Sequence, residues 1–585
     1  MNKKQYFGRQ MFLGMLFPAF VSGLALALSD VADAIVVGAR VGELGLAAVG
    51  IVTPIYMVYN IIGYGYSIGT SVSCSRLTAA GKPEEAQSQF LTVFRVMIFW
   101  GLVIAVIGNL LMGPLVALLG AAHSEADLRI LCIQYARPLI TFAPIMLINY
   151  LFYAILRADD DQYLAMLSFA SGCILDLGLN ILFVLVFHWG VMGAGYATVI
   201  AQAASVLIAI PHFFRDKGAI SFKGNLLFRP ADFKVALPLF LTGFSTSVRY
   251  IFQFCFLVLT NNLLMKAEGI NNTLYTAVFD VVMNVSYVAY SLYEATGEAL
   301  QPVVATFYEE RDRENVYYVR RLAFLWGTGC SLVLALLLGI FAAEVSTIFG
   351  LGSAEALAVS VPAIRVFCVA SVFGGTMIIL ISFYQSVEKE RLAAQYTALR
   401  SFLVLMPVTL YYGLVQTELF FCLFPLTEII SWGVAFLLMP NTNVTGVLKD
   451  ARVYSRTLEN NDQDIWDVLA GLVEFCNTHG AKEEQNYLVN LVIEEISLQI
   501  IRQTFTGRPH EYIQITLSAE PNGDFIMHLR NSAARFNPFD QKQVAKEDDE
   551  DENILNSLGV IMVKAKAKEF NYRTYSGYNL LTVVM

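Results

Sequence analysis

Charge is what this sequence has least of. Only 15% of its 585 residues are Asp, Glu, Lys or Arg, against 56% hydrophobic, and the mean hydropathy is +0.57. A soluble domain carries about 25% charged residues, so the shortage excludes a soluble globular chain. Basic excess is also missing: the net charge is -9, which argues against nucleic acid as a partner. The eight cysteines are scattered with no C-x-x-C pair, seven of them in or beside apolar segments. They read as small buried hydrophobes rather than metal ligands or disulfides. None of the six histidines has a partner at metal-ligand spacing, so His123, His188 and His212 read as ordinary interface residues and no metal is expected.

What is present is long apolar runs. About 20 apolar residues cross the roughly 30 Å of hydrocarbon in a bilayer. Twelve stretches reach that length, at 12–38, 46–74, 90–119, 132–156, 163–187, 191–213, 234–264, 272–303, 322–349, 358–385, 393–416 and 418–440. The first is long enough to span and reads as a retained helix rather than a signal peptide. Basic residues gather in the even connections, such as Arg215, Lys217 and Lys223 in the sixth and Arg311, Arg313, Arg320 and Arg321 in the eighth. Odd connections offer chiefly Arg40, Arg129 and Lys266. The positive-inside rule then places both termini on the cytoplasmic side of a plasma (inner) membrane.

The character of the chain changes after residue 449. Residues 450–585 carry 21 acidic against 13 basic side chains, which puts nearly all of the net negative charge there. That stretch is expected to be a separate cytoplasmic domain. Upstream, "MLFPAF" (15–20) is echoed by "VALPLF" (235–240), aligning Pro18 with Pro238. The expected architecture is therefore all-α and polytopic, with 12 transmembrane helices in two six-helix lobes, 1–222 and 223–445, around a central cavity.

An ionised group at mid-bilayer costs at least about 2.5 to 3.5 kcal/mol, so intramembrane charges mark wet cavities or protein interiors. Asp30 and Asp33 stand three apart within "LALALSDVADAIVVG" (24–38), on one face of a helix. Two carboxylates in one desolvated site do not both ionise easily, so such a pair can exchange a proton or admit a monovalent cation. Asp176, with Asn180 four residues on, adds a carboxylate and an amide oxygen from another helix. Arg249 needs a counterion or a cavity, with Asp280 or Glu294 as candidates. Tyr56 and Tyr64, in a tyrosine-rich second stretch, could stack flat cationic or amphipathic molecules. Glu344, Glu418 and Glu428 fall near the ends of apolar stretches and read as interfacial.

Three segments, "DAIVVGARVGELGLAAVGIVTPI" (33–55), "GYSIGTSVSCSRLTAAGKPEEA" (65–86) and one containing "SGCILDLGLNILF" (171–183), resemble the multidrug and toxic compound extrusion (MATE) family. The resemblance puts the family's first-helix aspartate at Asp33 and its fifth-helix aspartate at Asp176, and it keeps Gln301-Pro302 in the eighth stretch. It implies a transporter, not an enzyme, that exports small organic compounds by antiport and alternates access by rocking one lobe against the other. The coupling ion would be H+ or Na+, with no cofactor, no catalytic residue and membrane lipid as surroundings. The substrate cavity would take in Tyr56, Tyr64, Arg249, Asp280 and Gln301. Two rivals remain: a flippase for a lipid-linked precursor, which an arginine-rich cavity would favour with Arg249, Arg137 and Arg365 available, and a membrane sensor signalling through the tail.

The tail's "YLVNLVIEEISLQIIRQTF" (487–505), "YIQITLSAEPNGDFIMHLRNSAARFNPFD" (512–540) and "NSLGVIMVKAKAKEFNYRTYSGYNLLTVVM" (556–585) are similar to the two-layer α/β ATP-binding domains of histidine kinases and anti-sigma serine kinases. Glu494 and Glu495 remain at the helix glutamate. Gln499 stands for the magnesium-binding asparagine, Asn531 for the adenine-binding aspartate, and Gly559 is the one glycine kept from the later loop. Magnesium tolerates little departure from octahedral geometry, and Asn531 removes a charge-assisted acceptor. The run "EDDEDE" (547–552) would repel a triphosphate. The resemblance thus implies a degenerate domain that does not use ATP and instead binds a cytoplasmic protein partner or regulates transport.

Overall fold

The computed structural model describes residues 5–79, 82–159, 161–214, 220–222, 232–438, 452–459, 462–497, 499–501, 505, 511–520, 522–532, 562–575 and 578–585. Up to residue 438 every regular element among the described residues is helical. In chain order the helices are α1 (Tyr6–Val41), α2 (Glu43–Val52), α3 (Pro54–Ala79), α4 (Pro83–Leu110), α5 (Met112–Leu119), α6 (Ala126–Thr141), α7 (Ala143–Ala158), α8 (Gln162–Asn180) and α9 (Gly190–Ala209). They continue as α10 (Phe233–Lys266), α11 (Asn272–Glu309), α12 (Arg313–Ile340), α13 (Ala342–Ile348), α14 (Ala354–Ser386), α15 (Glu390–Ala398), α16 (Leu405–Val415) and α17 (Leu423–Leu438).

Among the described residues, each apolar stretch read from the sequence falls on one helix or on a broken helical run. Among the described residues nine such runs are long and apolar enough to cross a membrane, ten when α6 and α7, bent by 54°, count as one. The chain is thus an integral membrane protein. Breaks follow from local chemistry. Gly42 ends α1 at φ 71°, where a side chain would be strained, and Pro54 opens α3 at the helix position that needs no N–H donor. The start of α11 is capped by Asn271, that of α12 by Asp312 and that of α14 by Ser353, each side-chain oxygen accepting a backbone N–H three residues on.

His212 departs from its reading as an ordinary interface residue. It is buried, with Nε2 at 3.0 Å from Asp159 Oδ2 and Nδ1 at 3.0 Å from Asp161 Oδ2. Each ring nitrogen faces a carboxylate oxygen, so whichever nitrogen carries a proton finds an acceptor. His212 clamps the α7–α8 connection to the end of α9.

Helices α1–α9 meet α10–α17 at glycines. A methyl group at Gly69 of α3 would land on the carbonyl oxygen of Leu239 in α10, and one at Gly243 of α10 on that of Gly65. At the opposite end of the bundle, a methyl at Gly38 would land on Phe349 O, and one at Gly350 on Gly38 O. Along α1, Gly23 lies against Ser291 and Ala295 of α11, and Gly8 against Asn315 and Val319 of α12.

The tail forms a five-stranded antiparallel sheet in the order β1-β2-β3-β5-β4, from β1 (Arg452–Glu459), β2 (Tyr512–Ala519), β3 (Phe525–Asn531), β4 (Glu569–Tyr575) and β5 (Tyr578–Val584). Helices Asp462–Thr478 and Glu483–Leu491, and a π-helical turn Val492–Ser497, cover one face. Ile513, Ile515 and Leu517 point into that core with Leu472, Val489 and Ile493. The alternate residues of β2, Gln514, Thr516 and Ser518, are equally buried. A period-2 strand usually keeps one face wet; here the helical bundle covers the second face.

Candidate functional site

Between the two sets of helices lies a cavity of about 1130 Å³. Its first wall carries Asp33 from α1, Asp176 from α8, Thr198 from α9, Tyr56 and Tyr64 from α3 and Tyr135 from α6. Asn180 Nδ2 donates to Asp33 Oδ1 at 2.5 Å and to Asp176 Oδ1 at 3.2 Å, while the Thr198 hydroxyl donates to Asp33 Oδ2 at 3.2 Å. Three helices therefore converge on one carboxylate. Asn180 is fully buried, and its Oδ1 has no hydrogen-bond partner among the described residues. A buried acceptor left unpaired beside two carboxylates is unfavourable unless a proton donor or cation joins it. Tyr56 and Tyr135 lie beside this cluster with their hydroxyls 3.2 Å apart.

The opposite wall is also charged. Arg249 is exposed to the cavity and donates from Nη2 to the Tyr250 hydroxyl at 2.7 Å, with its guanidinium carbon 4.7 Å from that ring's centre. The Tyr250 ring stacks on Tyr64 at 5.3 Å with an interplanar angle of 4°. Asp280 is buried, accepts from Asn284 Nδ2 at 3.2 Å and lies against Gly50. Glu294 also lines the cavity. Of the carboxylates considered for Arg249, none forms an ion pair with it among the described residues.

Sequence reasoning passed over several of these groups. Arg400 pairs with Glu428, Nε to Oε1 at 2.8 Å and Nε to Oε2 at 3.0 Å, over the Tyr290 ring. Glu428 is buried, not interfacial; the signal available was a lone arginine inside the apolar stretch 393–416. Arg157 lines the cavity as well. Arg365 instead donates to Gly339 O at 3.1 Å, and Arg137 is exposed outside the lining. Gln301 stands away from the cavity and donates to Gln385 at 2.8 Å. Asp30 lies in α1 with its side chain outside the described residues.

In the tail, Glu494 and Glu495 sit on the π-helical turn. Gln499 is buried, and neither amide atom has a partner among the described residues. Asn531 is buried and accepts from Asn579 Nδ2 of the neighbouring strand at 3.0 Å. Gly559 and the acidic run lie outside the described residues. Among the described residues no group of three or more His, Cys, Asp or Glu side chains could hold a metal ion.

Long apolar helices in two interlocked sets around a charged cavity define a polytopic membrane-protein architecture with an internal site. A family model described as MatE matches residues 18–182. The multidrug export protein MepA of Staphylococcus aureus (strain bovine RF122 / ET3-1) is 22% identical over 233 residues, 39% of this chain and 51% of that protein. The probable multidrug resistance protein YoeA of Bacillus subtilis (strain 168) is 22% identical over 211 residues, 35% of this chain and 45% of that one. The chain thus spans about half the length of the curated relatives it matches. Among solved structures, an inward-facing multidrug resistance MATE family transporter of the MOP superfamily aligns with a TM-score of 0.64 at 21% identity, covering 72% of this chain and 95% of that one. An outward-facing one aligns at 0.56 and 20% identity, covering 76% and 97%. The fold is that of a MATE transporter.

Proposed function

We propose that the chain is a secondary active exporter in which H+ or Na+ moving inward drives small organic, drug-like compounds outward. The observation that carries this reading is the Asp33–Asp176–Asn180–Thr198 cluster in the cavity wall, with a buried amide oxygen unpaired beside two carboxylates. A proton on either carboxylate, or a small hard cation among these oxygens, would satisfy that acceptor. The pair Tyr64 and Tyr250, stacked from facing walls, with Asp280 and Glu294, gives the cavity an aromatic and acidic surface for a flat organic molecule. Twelve spans in two lobes, 1–222 and 223–445, rock about this cavity, with both termini cytoplasmic and residues 450–585 a regulatory domain on that side. The matched transporters of multidrug title support the same reading.

The test is flux: purified protein in liposomes, a fluorescent organic cation inside, and a proton or sodium gradient imposed in turn. Gradient-driven release above that of protein-free liposomes is expected for one of the two ions. Release with neither ion defeats the antiport reading, and favours the sensor if the tail then binds a soluble protein. Arg157, Arg249 and Arg400 all line the cavity, which favours the flippase reading. Glu428 neutralises Arg400, however, and translocation of a fluorescent lipid-linked phosphate in the same liposomes decides between them.

The tail is proposed as a degenerate nucleotide fold that does not bind ATP. Titrating the full-length protein with ATP and Mg²⁺ should give no saturable heat. Saturable binding in the micromolar range would return the domain to the nucleotide-binding class.

A further inference from the structure

We propose that the C-terminal domain is a latch across the seam between the two halves of the bundle, and that it must undock before the tail-facing end of the cavity opens. The proposal rests on the alternating-access reading above and names its regulation.

The second sheet face straddles the seam. On the α11–α12 side, Arg530 of β3 pairs with Glu310, Nη2 to Oε1 at 2.5 Å, and both side chains are only 3% exposed. The Arg530 guanidinium carbon stands 4.6 Å from the centre of the Phe307 ring, and its Nη1 donates to Gln514 Oε1 at 2.9 Å. Gln514 Nε2 donates in turn to Asp312 Oδ2 at 3.0 Å. Asp312 is the carboxylate that caps α12, so one side chain serves both a helix start and the sheet. A second pair, Arg311 Nη2 to Glu520 Oε2 at 2.6 Å, lies nearer the surface.

The other half is held by rings. Tyr6 of α1 packs on Tyr512 at 4.4 Å between centroids, and Phe7 meets Tyr578 at 5.5 Å. Beneath them Gly8 of α1 lies directly on Asn315 of α12. Any motion that parts α1 from α11 and α12 at this end must break one set of tail contacts or the other. The chemistry suits a reversible joint. A buried ion pair adds little net stability, because both groups regain water on separation, but it fixes register strictly, since removing one partner strands the other.

Cys173 lines the cavity and reports its opening. In membrane vesicles exposing the tail side, a membrane-impermeant maleimide is added and Cys173 modification is followed by peptide mass spectrometry. Glu310→Gln should raise the modification rate at least about tenfold. Oxidising the pair Tyr6→Cys/Tyr512→Cys should slow it below wild type, and reductant should restore it. Unchanged rates in Glu310→Gln, or an oxidised form that reacts as fast as the reduced one, would overturn the latch. Should Glu310→Gln simply unfold the tail, the exchange Glu310→Arg/Arg530→Glu decides: slow labelling supports the latch and fast labelling overturns it. The readout needs neither gradient nor substrate, so it stands apart from any failure of the antiport reading.

Discussion

Asp33→Asn should reduce gradient-driven efflux to the level of protein-free liposomes while leaving substrate binding intact. The substitution preserves shape. The amide oxygen it introduces can still accept from Asn180 Nδ2, and the Thr198 hydroxyl, now 3.2 Å from Asp33 Oδ2, can turn to accept from the new amide nitrogen because a hydroxyl both donates and accepts. What disappears is the charge that a proton or cation would neutralise. Thr198→Val, by contrast, removes one hydrogen bond worth about 1 kcal/mol, so flux should fall only about fivefold. Flux assays on the two variants, with dye binding followed by fluorescence anisotropy, test the pair. Gradient-driven efflux surviving in Asp33→Asn would remove the carboxylate cluster from the mechanism.

How much of this was legible follows from what each residue does alone. Asp33 and Asp176 stand out because an ionisable group in a long apolar run has to be explained, and the four-residue step to Asn180 is visible on any helix. The meeting of α1, α8 and α9 is tertiary, and so was hidden, as was the donation from Thr198, a residue common in helices of every kind. Arg400 and Glu428 are 28 residues apart on different helices, so neither announces the other, and nearness to a helix end in sequence was mistaken for nearness to water. Gln301 failed for the opposite reason: its motif was recognisable, but its side chain reaches Gln385 rather than the cavity. In the tail, Ile513, Gln514, Ile515 and Thr516 alternate apolar and polar, the pattern of a strand with one apolar face. It could not announce that Gln514 and Arg530 on the polar face are buried against another part of the chain. Polar residues look the same in sequence whether water or a partner satisfies them.

The glycine contacts at the two ends of the bundle carry the largest conformational prediction. Gly69 meets backbone of α10 near the end that carries the tail, and Gly38 meets Phe349 at the opposite end. At each, the obstacle to a methyl group is a carbonyl oxygen rather than a flexible side-chain tip, so the helices themselves must separate. Overpacking of this sort costs about 1 to 3 kcal/mol. If that strain is relieved by opening one end, Gly69→Ala should shift the population toward the tail-open form by about 5- to 150-fold, and Gly38→Ala should shift it by a similar factor the other way. Spin-label distances across each end, measured on the two variants in the same lipid, would show reciprocal changes: one end widens while the other closes. Both ends widening together, or neither moving, would mean that the glycines merely let helices pack and that opening is governed elsewhere. Reciprocity is the decisive feature, because a general loss of packing loosens both ends, whereas two rigid halves pivoting about a shared cavity exchange one opening for the other.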